Sequence, residues 1–113
     1  MSDDAIVVDA LLELKPGTDP RAPGGEVTVA LCGHWEHAGP CHWPHNSRID
    51  SDAAPAHLRT VVVVPAADRA EVERRVEVAL RGDDRWTVIG FAVETVTDDE
   101  RGLAHRLAQP SDT

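Results

Sequence analysis

Tyrosine is missing from this chain, and Phe91 is its one phenylalanine. A core of stacked phenyl rings is therefore excluded, and the packing must be built from Val, Leu, Ile and Ala. Long apolar runs are missing as well. Nothing approaches the roughly 20 residues that a membrane-spanning helix requires. The start, Met1-Ser2-Asp3-Asp4, is acidic where a secretory signal would be basic. No membrane partner is expected, and a cytoplasmic location follows by default. Basic residues are few: 11 Lys and Arg stand against 20 Asp and Glu, for a formal charge of −9. With no Lys/Arg stripe to offset that field, nucleic acid is repelled rather than bound. His-Glu-x-x-His, Gly-x-Ser-x-Gly, Cys-x-x-Cys and a phosphate-cradling glycine loop are all absent.

What is present fits one ordinary domain. A chain of 113 residues, 42% hydrophobic and 27% charged, can bury a core without the help of a metal or disulfide. We expect a single domain over 1–113. Strict alternation of Ile6, Val8, Ala10, Leu12 and Leu14 marks a half-buried strand over 5–15. Residues 16–25 hold three prolines and three glycines and read as a loop. A second strand over about 26–36 is expected from the alternation of Val27, Val29 and Leu31. It would pair with the first as a hairpin.

The pattern is then lost in a long His/Cys/Trp-rich loop at about 36–56, broken by Gly39, Pro40, Pro44 and Pro55. Order returns near His57, where Val61-Val62-Val63-Val64 reads as a strand buried on both faces. A helix follows over about 67–81 with Val72, Val76, Ala79 and Leu80 on its inward face. A fourth strand runs over 86–96. Thr97-Asp98-Asp99-Glu100 forms a capping box for a last helix that carries Leu103, Ala104, Leu107 and Ala108. These elements imply an α+β two-layer sandwich. Its mixed four-stranded sheet would join the N-terminal hairpin to a β-α-β unit with two parallel strands, and the helices would lie mainly on one face.

One local feature stands out from that background. His34-Trp35-Glu36-His37 is echoed by His42-Trp43-Pro44-His45, and both cysteines, Cys32 and Cys41, lie beside these phrases. Cys and His are the side chains that best hold borderline and soft transition metals. Six candidate ligands result: Cys32, His34, His37, Cys41, His42 and His45. On a strand, Cys32 and His34 would share a face. Together with Cys41 and His45 they make the simplest tetrahedral set, and His37 and His42 stand as further candidates. The cofactor expected is Zn²⁺, with Ni²⁺ or Cu⁺ as alternatives. The spacing Cys-x8-Cys resembles no zinc finger.

The functional expectation is a small transition-metal-binding protein with a structural or regulatory role, non-enzymatic by preference. The alternative is a thiol redox or metal-dependent enzyme using Cys32, Cys41 and the adjacent histidines. Trp35 and Trp43 read first as anchors that fix the loop onto the sheet, and second as contacts for a protein partner. His57 is a further histidine that could join the cluster, and His105 falls on the polar side of the last helix.

Overall fold

A computed structural model describes residues 3–32 and 43–108 of the chain. The element order is β1 (Asp3–Leu14), α1 (Ala22–Cys32), β2 (His45–Asp50), β3 (Ala56–Pro65), α2 (Arg69–Arg81), β4 (Trp86–Thr95) and α3 (Asp98–Ala108), with a short 3-10 turn at Ala66–Asp68. The strands lie in the order β2-β3-β1-β4, and every neighbouring pair is antiparallel. The α+β class is as expected, but the mixed sheet is not. β3 and β4 do point the same way, yet β1 lies between them, so the unit β3-α2-β4 is a split β-α-β.

Alternation along β1 divides the chain between two cores. Ile6, Val8, Ala10 and Leu12 face one side and are fully buried with Leu58, Val62 and Val64 of β3. Val27 and Leu31 of α1 close over them together with Val72, Val76 and Leu80 of α2. Trp86 seals one end, its indole nitrogen donating to the Leu80 carbonyl at 2.9 Å. On the opposite side Val7 and Val61 meet Ala104 of α3, with Ala5, Val96, Leu103 and Leu107 around them. Two helices therefore cover one face of the sheet, and α3 covers part of the other. Among the described residues no helix is long and apolar enough to cross a membrane.

Two elements differ from the sequence reading. The stretch expected to hold a loop and then a strand is α1. Its buried pair, Val27 and Leu31, is spaced i and i+4, which suits one face of a helix, and the same residues fall in an alternating string that also suits a strand. Pro23 sits in the first turn, where its missing N–H costs nothing. Asp19 leads the chain in by accepting the Arg21 amide at 2.9 Å, and the Ala22 amide donates to the Asp19 carbonyl. Thr28 turns its hydroxyl back onto the Gly24 carbonyl at 3.1 Å, the usual way a helix accommodates a threonine. Packing on the core thus overrides a local preference for β structure.

The second difference is β2, which forms inside the expected loop. It carries almost no apolar signal, because it is an edge strand whose side chains alternate between half-buried and exposed. The expected hairpin of 5–15 with 26–36 does not exist; β1 pairs instead with β3 and β4, as in Ile6 opposite Val62 and Thr95.

Candidate functional site

Among the described residues the expected metal cluster is not assembled. Cys32 ends α1 rather than lying on a strand, so the shared face that was to align it with His34 is gone. His34, His37, Cys41 and His42 lie outside the described residues, as do Trp35 and Glu36. His45 opens β2 with both ring nitrogens directed at protein groups. Its Nδ1 lies 3.1 Å from the Trp43 carbonyl oxygen, and its Nε2 lies 3.1 Å from Thr28 Oγ1. A carbonyl can only accept, so Nδ1 carries the hydrogen there.

Among the described residues no group of three or more His, Cys, Asp or Glu side chains is placed to hold a metal ion. The reading as a zinc-binding protein is corrected on that finding, and the metal-dependent enzyme falls with it. Cys32 is the only cysteine among the described residues, so they contain no cysteine pair for the thiol redox alternative either.

Trp43 is an anchor, as its first reading had it. The ring is buried, its Nε1 donates to Asp68 at 3.2 Å, and the Arg75 guanidinium lies over it at 5.0 Å. The Pro44 carbonyl accepts from the Val63 amide. These contacts tie the entry to β2 onto β3 and the start of α2, and they leave Trp43 unsuited to meeting a partner.

The most developed cluster of functional side chains lies on the sheet face that α3 half covers. Arg59 rises from the middle of β3, directly opposite Asp9 of β1. Its Nη1 donates to Asp9 at 2.8 Å and to Glu94 of β4 at 3.0 Å. Its Nε and Nη2 grip both oxygens of Glu100 at the start of α3. Arg48 of β2 stands 3.9 Å from the same carboxylate. Glu100 also accepts the Thr97 amide at 2.9 Å, the carboxylate half of the expected capping box, while its own amide donates to the Thr97 carbonyl. The Arg59 hydrogen bonds hold the Glu100 carboxyl down at about 2, against an ordinary value of 4.5, and Glu100 in turn holds Arg59 more firmly protonated. Four of the five guanidinium N–H donors are thus taken, and the three carboxylates around Arg59 disfavour an anionic ligand there.

The cluster continues outward from Asp9. His57 donates from Nε2 to this carboxylate, 2.7 Å from both oxygens, and its side chain is 42% exposed. Next to it in register stands Leu11, paired with His57 on one side and Gly90 on the other. A Cβ at position 90 would come within 3.3 Å of Leu11 Cδ1, so glycine there lets Leu11 lie across β4. The register of β1 on β4 shifts at this point, and Ile89 is the extra residue of the resulting bulge. Leu11 and Ile89 are 37% and 51% exposed.

Chemically, a carboxylate-held imidazole can exchange a proton. No Ser or Thr among the described residues hydrogen-bonds it, however, and the His57 side chain is 42% exposed. What the arrangement offers is a rigid, charged and partly apolar patch.

The sequence did contain a signal for this site. Arg59 interrupts Ala56, Leu58 and the valine run, and a charge in a buried strand requires partners. His57 was read as a possible visitor to the Cys/His cluster, and it faces Asp9 instead. A cleft of about 410 Å³ also borders His45, lined by Gly24, Thr28, Pro44, Asn46, Ser47 and Leu107. Among the described residues that line it, His45 is the ionisable one. No family model matches this chain, and neither curated proteins nor solved structures provide a match.

Proposed function

We propose that this domain is a non-catalytic binding module that docks a basic protein segment on the open half of its sheet. The observation that carries this reading is the pair Leu11 and Ile89. Two of the three exposed large apolar side chains among the described residues sit together, on strands fixed from behind by the main core. Apolar side chains on a rigid surface make good anchors because little freedom is lost when they are covered. Glu13 and Asp50 are exposed on the same face, and Glu94 is half exposed beside them. With a net charge of −9, the molecule draws cationic partners toward it and repels anionic ones.

The test is a titration of the labelled protein with short amphipathic peptides rich in Arg and Leu, followed by amide chemical shifts. Saturable shifts should gather on Leu11, His57, Ile89 and Ala92. Leu11→Lys or Ile89→Lys should weaken binding about tenfold or more without altering the melting transition. Failure to saturate, or equal binding by both variants, would remove the proposal.

A further inference from the structure

The two edges of the sheet are built differently. β2 is short and polar, six residues reading His-Asn-Ser-Arg-Ile-Asp, with Asn46, Arg48 and Asp50 exposed in alternation. That is how natural sheets prevent further pairing. β4 is ten residues long, lacks proline and carries one charge, Glu94. Glu94 reaches across β1 to Arg59 while staying half exposed, so this edge has one charge in ten residues to guard it. Among the described residues no strand pairs with that side. Beyond the bulge, Gly90–Thr95 follows β1 in unbroken register from Leu11 to Ile6, a straight run of six residues.

The side chains along this run point to what covers it. Phe91 and Val93 pack against the main core yet stay only partly buried, since the core ends at β4. Antiparallel pairing of two identical strands about a two-fold axis at Ala92 would set Phe91 opposite Val93 of the second copy, and Val93 opposite its Phe91. Both pairs lie on the helix-covered face and would complete the open margin of each core. Aromatic against β-branched is a favourable cross-strand pair. On the other face Ala92 meets Ala92 at close approach, and Glu94 falls opposite Gly90. No like charges oppose one another in this register.

We infer that the occupant of the β4 edge is a second copy of this chain, giving a continuous eight-stranded sheet. Six residues a side bury well below the roughly 1,200 Å² at which standard specific interfaces begin, so the self-contact is a weak one, forming at high micromolar concentration.

This inference is independent of the peptide-docking proposal, because its test contains no partner. The mass of the full chain is followed by light scattering over about a hundredfold range of concentration around ~100 µM. The expected result is a rise from 12.2 kDa toward twice that value. Ala92→Glu sets two carboxylates against each other at the axis, and it should weaken association about tenfold. Ala92 is exposed, so the variant should keep its fold; Val78→Lys, at an exposed position of α2, should dimerise normally.

Hydrogen exchange on the unmodified chain gives a second readout. Alternate amides over Gly90–Thr95 should gain protection with concentration, and those of β2 should not. A constant monomer mass, dimerisation unchanged by Ala92→Glu, or concentration-dependent protection confined to other segments would each overturn the inference.

Discussion

Arg59 sits where a charge is least expected, 15% exposed between Leu58 and the buried Thr60. Removing a guanidinium from water is costly unless its donors are met, and here Nε, Nη1 and Nη2 all reach carboxylates. Glu100 is the most deeply placed of these, its side chain 8% exposed. Its carboxyl titrates at about 2 in the folded chain instead of 4.5. A carboxyl depressed by folding stabilises the native state above its unfolded value, and that contribution disappears as pH falls through the folded one. Glu100→Gln should therefore cost on the order of 2–3 kcal/mol at neutral pH. The gap between the two proteins in urea unfolding should narrow below pH 4.5 and close near pH 2. A gap independent of pH would mean that shape, and not charge, is what Glu100 supplies.

At the scale of elements, α3 is the piece held by the fewest contacts. Ala104 touches Val7 and Val61, while Leu103 and Leu107 lie over the border of the sheet. Ala104→Asp would bury a carboxylate against two valines with no partner, at about 2–4 kcal/mol. The expected outcome is fast hydrogen exchange throughout α3 with β1 and β3 still protected; equal loss across the sheet would mean that α3 is integral to the main core.

The elements differ in how plainly the chain announces them. β1, β3, α2, β4 and α3 have periodic apolar faces, and they lie within a residue or two of where periodicity puts them. α1 was hidden because Glu26 to Cys32 satisfies both periods, and only packing on the sheet decides between them. β2 was hidden because an edge strand can be polar on one face and needs only the backbone of β3 to form. The candidate site was half legible. The Thr97–Glu100 capping box was evident, but its second function, gripping Arg59 from 41 residues away, depends on a topology that a mixed sheet would not have produced. The His/Cys cluster attracted attention by composition, and composition says nothing of where side chains point.

At the scale of the molecule, the two proposed contacts respond oppositely to salt. A basic peptide is held in part by attraction to a body of charge −9, so its affinity should fall as ionic strength screens that field. Two copies of the chain repel each other, and their pairing along β4 rests on apolar and backbone contacts. Raising sodium chloride from about 20 mM to about 500 mM should loosen the first and tighten the second, as fluorescence anisotropy and light scattering would record. Parallel weakening of both would place the self-contact on charged groups instead of on the strand edge. The central position of β1 has a further consequence, for the order of events during synthesis. Ile6 must wait for Val62 on one flank and Thr95 on the other. At a ribosomal pace of about 10 residues per second, roughly nine seconds separate Ile6 from its second neighbour. For that interval the most apolar strand of the chain is a template with a vacant side, and the nascent polypeptide stays exposed to misassembly until the ribosome has nearly finished the domain.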